Sequence, residues 1–167
     1  MISLRKFLTV FFLAGCLLLT SCQQETPSRF DAAQQESTSK GATAVVDDAT
    51  KGGSLNRYFP DSGDGYQRVY SQEKKGFAQA KLNRDGKEVA ILAISDVLNT
   101  PSAVDKFQNS TSQIQGYPVV NQGSSATAVL VGDRYQVKIR SKDASFTESD
   151  RQQWLSRFNL RGLSKLN

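Results

Sequence analysis

The sequence predicts an α+β domain, an antiparallel sheet with two helices packed on it, and three features carry that expectation. Apolar segments of strand length recur between residues 67 and 140. The dipeptides Asp85-Gly86 and Gly132-Asp133 are two-residue hairpin signals, which join antiparallel neighbours. Two segments led by Thr100 and Thr147 combine helix-start chemistry with apolar residues at helical spacing.

The domain is expected to span residues 54–167, 114 residues and long enough for a core without disulfides. Ser54 reads as the N-cap of a short turn, Leu55 to Phe59, stopped by Pro60. Leu55, Tyr58 and Phe59 share one side of that turn and are expected to dock on the domain. Asp61 to Gly65 is a turn cluster. Its aspartates suggest a calcium loop, but Gly63 and Gly65 fall where oxygen ligands are needed, and Gln72 falls where glutamate is needed. A plain loop is the reading that remains.

Strands follow at Gln67 to Gln72 and Phe77 to Asn83, turned at Lys74-Lys75-Gly76. Asp85-Gly86 then returns the chain into Glu88 to Ser95. Val89 to Ile94 is an unbroken apolar run, which suits a central strand covered on both faces, or one near the middle of the core.

Thr100 as N-cap and Pro101 at the first helical position begin a helix. Val104, Phe107, Thr111 and Ile114 make its apolar stripe, and Gly116 ends it. Lys106 lies on the polar side. Tyr117 to Asn121 is a strand led by Pro118, and Gln122 to Ser125 is a loop. Ala126 to Val131 and Arg134 to Arg140 form a hairpin, with Tyr135, Val137 and Ile139 inward and Gln136, Lys138 and Arg140 outward. Thr147 to Asp150 reads as a capping box. The helix behind it is expected to bury Trp154, Leu155 and Phe158. Leu160, Leu163 and Leu166 close the core.

The two halves run in the same order. Gly65-Tyr66 and Gly116-Tyr117, the turns at Asp85 and Asp133, and the helix starts at Thr100 and Thr147 are offset by 51, 48 and 47 residues. This order suggests a duplicated strands-then-helix unit.

Residues 1–21 have the three parts of a secretory signal: Arg5 and Lys6, an apolar stretch from Phe7 to Leu19, and a small-residue cleavage region. Thirteen apolar-region residues are too few for a membrane span, which needs about 20. The end of this segment, Leu19-Thr20-Ser21-Cys22, resembles the bacterial lipoprotein signal family. The resemblance implies diacylglycerol on Cys22 through a thioether, cleavage before it, and acylation of the new amine. Leu13-Ala14-Gly15-Cys16 matches the same motif. Cleavage there would leave Leu17 to Leu19 beside the lipid and shorten the apolar stretch to about six residues, so Cys22 is favoured. Residues 22–53 are then the lipidated N-terminus and a tether rich in Gln, Ser, Thr, Ala and Asp, too polar to offset its ordering entropy. Such a chain reaches roughly 30 Å.

The chain contains no histidine and two cysteines, both in the leader region. The commonest general base is therefore missing, and processing would leave no free thiol. There is no phosphate loop and no Gly-rich dinucleotide fingerprint. Asp61 with Asp64, or Asp143 with Glu148 and Asp150, are the candidate carboxylate groups for a hydrolase. Each also has a simpler role at a turn or helix start. The expectation is a non-catalytic protein without cofactor or metal. Removing Arg5 and Lys6 lowers the net charge from +5 to +3, too mild for a nucleic-acid partner.

Arg134, Lys138, Arg140 and Lys142 form the candidate basic surface, with Lys138 and Arg140 on one strand face. Arg151, Arg157, Arg161 and Lys165 add positive charge on the last helix and tail. Such a surface suits anionic headgroups or an acidic envelope protein. It also reads as an ordinary solvated face.

Phe77-Ala78-Gln79-Ala80, Glu88 to Asp96 and Ala126 to Val137 resemble segments of small lipoproteins of cyanobacteria. That resemblance carries over no functional residue. It implies a protein facing the periplasm and leaves the plasma, thylakoid and outer membranes open. The expected function is a tethered binding or assembly module, with a small-molecule or lipid carrier as the alternative.

Overall fold

The computed structural model describes residues 49–166. The leader, Cys16, Cys22 and the tether as far as residue 48 lie outside the described residues. Seven strands make one antiparallel sheet: β1 (Tyr66–Lys74), β2 (Phe77–Arg84), β3 (Lys87–Asp96), β4 (Ser112–Ile114), β5 (Tyr117–Gln122), β6 (Ala126–Val131) and β7 (Tyr135–Ser141). Their spatial order is β1-β2-β3-β7-β6-β5-β4. The helices are short: α1 (Gly52–Leu55), α2 (Pro101–Asp105), α3 (Glu148–Leu155) and α4 (Leu160–Leu163), with a 3-10 turn at Asn56–Tyr58. This is the expected α+β class.

Strand alternation divides the sheet into two unlike faces. Ala80, Leu92, Val129, Val137 and Ile139 point to one face and are fully buried. Trp154 and Leu155 from α3, and Leu160 and Leu163 from α4, pack against them in one cluster. Leu55, Tyr58 and Phe59 join that cluster as expected. Thr147 caps α3, accepting from the Asp150 N–H at 3.3 Å while the Asp150 carboxylate accepts from the Thr147 N–H at 2.7 Å. The capping box is thus formed as the sequence suggests.

The first turn begins earlier than its sequence suggests. Lys51, not Ser54, occupies the N-cap position, and Ser54 lies inside α1. Residues 50–53, which read as the end of a tether, are bonded to the sheet. Thr50 donates its N–H to Asp96 Oδ2 at 3.0 Å and accepts from the Gly76 N–H at 2.6 Å. Its hydroxyl lies 2.9 Å from the Tyr135 hydroxyl. Gly52 packs so closely on the β1–β2 turn that a Cβ there would stand 2.6 Å from the Phe77 carbonyl oxygen. Composition hid this contact because backbone and hydroxyl groups make it, not apolar side chains.

The helix expected from Thr100 to Gly116 is one and a half turns long. Thr100 makes no side-chain cap bond, although Pro101 does take the first helical position. Beyond Asp105 the chain passes through turns, and Ser112–Ile114 becomes strand β4. The Ser110 hydroxyl accepts from the Val119 N–H at 3.2 Å, fixing the chain beside β5. Gln115 and Gly116 have φ of 53° and 85°, so they form a hairpin turn rather than a helix stop. Thr111 and Ile114 therefore leave the helical stripe.

The strands follow the duplicated order. β1-β2-β3 and β5-β6-β7 are each consecutive meanders, and their last strands, β3 and β7, pair at the middle. The helices do not follow it. Phe107 after α2 packs with Val97, Ala128 and Leu130. Those β6 side chains alternate with Val129 and Val131, so α2 covers the face opposite to α3. An internal repeat would put both helices on one face; the apolar partners available to Phe107 put α2 on the other.

Candidate functional site

The second face is only partly covered. α2 shields the β5–β6 side, where Val120, Ala128 and Leu130 meet Phe107. Over β2, β3 and β7 the face is open. The strand register arranges its side chains in rows. One row runs Gln79, Ala93, Lys138, Ala128 and Val120. The next runs Lys81, Ile91, Arg140 and Ala126. Ala93 and Ala128 flank Lys138 with the smallest side chains on either side, which leaves a trough along the sheet. Its open part has a volume of about 220 Å³, with Phe77, Ile91 and Ala93 as apolar lining and Lys138 and Arg140 as cations.

The apolar run of β3 is thus central in the sheet but not covered equally on both sides. Ala90, Leu92 and Ile94 are fully buried beneath the helices. Ile91, on the trough side, is half-buried.

Two cations, Lys138 and Arg140, line the trough, and Lys106 lies near enough to Lys138 to feel its charge. Burial pushes the Lys138 ammonium below its ordinary range, and neighbouring Arg140 pushes it the same way. Burial also lowers Lys106, just beyond α2, and Lys138 lowers it further. Among the described residues no carboxylate pairs with Lys106, Lys138 or Arg140. Lys81, the remaining cation of these rows, is held by Glu88 at 2.9 Å. Like charges clustered without an acid oppose folding, and an anion in the trough relieves that repulsion.

The structure divides the four basic residues singled out in the sequence. Lys138 and Arg140 share the trough, as alternation predicts. Arg134 does not belong to it. Its guanidinium grips Asp96, with Nη2 2.9 Å from Oδ2 and Nε 3.2 Å from Oδ1. Lys142 lies past the end of β7 and lines a separate recess with Ser124, Ser125 and Arg151. Arg151 corrects a further expectation, since it adds no charge to the surface. It is 2 % exposed and donates to Thr127 Oγ1 at 2.9 Å, Ser141 Oγ at 2.8 Å and the Ser124 carbonyl at 3.1 Å. It clamps α3 to the ends of β6 and β7. Lys106 is exposed, as its place on the polar side of the helical pattern suggests, and its ammonium stands over the Phe107 ring.

Asp61, Asp64 and Asp150 stand apart from one another, whereas Asp143 and Glu148 line one recess with Lys142. Asp61 faces Arg68 at 3.6 Å and Asp64 faces Arg157 at 2.7 Å. Asp143 pairs with Lys87, whose contact together with Ser145 holds its carboxyl far below the usual range. Glu148 accepts from Asn121 at 2.7 Å, and Asp150 closes the α3 cap. Among the described residues no three His, Cys, Asp or Glu side chains are grouped to hold a metal ion. None of the described helices is long and apolar enough to cross a membrane. Comparison with protein families, with curated proteins and with solved structures gives no match.

Proposed function

We propose that this chain is an exported lipoprotein, anchored through Cys22, that acts as a non-catalytic binding or assembly module with the open sheet face as its working surface. The lipoprotein reading rests on Leu19-Thr20-Ser21-Cys22 behind a short apolar segment. The binding reading rests on one observation above all: Lys138 and Arg140 line one trough, and among the described residues no carboxylate pairs with either. Evolution of a solvated sheet face toward stability would intersperse acids, as Glu88 does beside Lys81. An uncompensated cluster over an apolar floor instead suits an anionic partner that supplies the missing charge.

A carrier would hold its cargo between sheet and helices. That space is filled by Trp154, Tyr135 and Phe158. The trough lies on the outer side and opens to solvent, which favours docking over enclosure.

In-cell crosslinking followed by affinity purification of the tagged chain tests this function, beside Cys22→Ala and Lys138→Glu/Arg140→Glu. An envelope partner recovered with the native chain and lost in both variants supports an anchored module working through this face. Equal recovery from the charge-reversed variant refutes that use of the face.

A further inference from the structure

We infer that the trough lined by Lys138 and Arg140 takes an anionic lipid headgroup at the surface of the membrane to which the chain is tethered. This inference rests on the anchored reading above and names the occupant of the same site.

Three observations favour a headgroup over an acidic protein. The first is size. A volume of about 220 Å³ bounded by Phe77, Ile91 and Ala93 suits one headgroup with its glycerol end. A stable protein interface instead needs about 800 Å² from each partner, built around buried aromatic anchors. The half-buried Phe77 is the one aromatic ring in the trough lining.

The second is charge. Lys138 and Arg140 are two residues apart on β7, about 7 Å along the strand. Two cations line one concave surface, and none of its lining residues is an acid that would repel a phosphate or sulfonate.

The third is the point where the chain enters the domain. Thr50 is bonded to Gly76 and Asp96. Phe77 follows Gly76 in sequence, Ser95 precedes Asp96, and both line the trough. Thr50 therefore enters the sheet beside Phe77 and Ser95, at one end of the trough. On the anchored reading, the 26 residues between Cys22 and Ala49 join the lipid to the domain at that end of the trough. Each cation near an anionic bilayer contributes about 1 kcal/mol, so the two in the trough together change binding about thirtyfold.

Vesicle co-sedimentation of the processed chain from residue 22 onward, carrying Cys22→Ala, isolates the contribution of the face. Vesicles with 30 % phosphatidylglycerol in phosphatidylcholine are compared with phosphatidylcholine alone. The inference expects binding to the anionic vesicles only, and progressive loss as salt shortens the Debye length. Lys138→Gln/Arg140→Gln should weaken it about thirtyfold. Arg161→Gln/Lys165→Gln removes the same net charge from α4 and the tail, and should leave binding within about twofold. Circular dichroism melts establish that both variants are folded. Absence of binding to anionic vesicles, or equal weakening by the two variants, overturns the inference. So does binding of an acidic protein at the face in the presence of anionic vesicles that do not compete. Mass spectrometry of the native protein for diacylglycerol on Cys22 tests the anchored reading separately.

Discussion

The Arg134 guanidinium is closed onto the Asp96 carboxylate, with Nη2 2.9 Å from Oδ2, and the same carboxylate oxygen accepts the Thr50 N–H at 3.0 Å. The Asp96 side chain is 1 % exposed. One acid therefore holds together the β6–β7 turn, the end of β3 and the point where the chain enters the domain.

Asp96→Ala should destabilise the domain by about 2–4 kcal/mol, since it removes the buried carboxylate that bonds both the Arg134 guanidinium and the Thr50 N–H. Burial raises the Asp96 pKa, but the bonds from Arg134, Thr50 and Leu98 outweigh it and set the carboxyl below its ordinary value. A carboxyl lowered on folding contributes stability above its unfolded pKa and loses it as pH falls through the folded one. Denaturant melts from pH 7 down to pH 2.5 should show this loss below about pH 4. Asp96→Asn should flatten it.

Arg151 carries a charge into the interior with two hydroxyls and a carbonyl as partners. Arg151→Met keeps much of the length but breaks all three bonds. It should cost about 2–3 kcal/mol, measured by urea unfolding. Arg157, exposed and paired with exposed Asp64, serves as the control. Arg157→Met should stay within about 1 kcal/mol of the native protein.

Lys138 is a site whose charge opposes folding. Its pKa is lowered by burial and then by Arg140. A lysine lowered on folding is destabilising while both states are protonated, and stability rises as pH passes from the folded pKa toward the unfolded one. Thermal melts should show native stability increasing on the alkaline side of neutrality, relative to Lys138→Met. At pH 7 Lys138→Met should itself be more stable, by about 0.5 kcal/mol or roughly 2 °C. A melt that falls instead would mean that Lys138 has a stabilising partner.

Gly52 is fixed by close approach. A Cβ at that position would meet the Phe77 carbonyl at 2.6 Å and the Lys74 nitrogen at 2.8 Å, both rigid backbone. Gly52→Ala should cost about 1–3 kcal/mol and free the entry segment from the β1–β2 turn. Hydrogen exchange at the Gly76 amide, which is bonded to Thr50, reports that release directly.

Strand and hairpin chemistry was the part of the fold most open to reading. Asp85-Gly86 and Gly132-Asp133 name their own turns, and the alternation of Tyr135, Val137 and Ile139 with Lys138 and Arg140 assigns the faces of β7. Local capping was equally plain at Thr147 and Asp150. The region from Thr100 to Gly116 was misleading because Val104, Phe107, Thr111 and Ile114 have helical spacing. Ser110 and the Gln115-Gly116 turn, with partners on β5 that the local pattern does not show, redirect the second half into a strand. The face chosen by α2 was hidden for the same reason. So was half of the site: Lys138 and Arg140 were found from alternation, whereas Phe77, Ile91 and Ala93 reach the trough only through strand register. Arg134 and Arg151 looked like surface charge because neither Asp96 nor the Thr127–Ser141 pocket is near them in sequence.

Site-specific photo-crosslinking in cells tests the central claim, that the open face is the working surface. A photoreactive residue at Gln79, in the trough row of Lys138, is compared with one at Gln152, exposed on α3 across the sheet. The account predicts adducts, to lipid or to protein, from position 79 that vanish with Lys138→Glu/Arg140→Glu, and few from position 152. Equal adducts from both positions, or adducts at 79 that survive charge reversal, would contradict it.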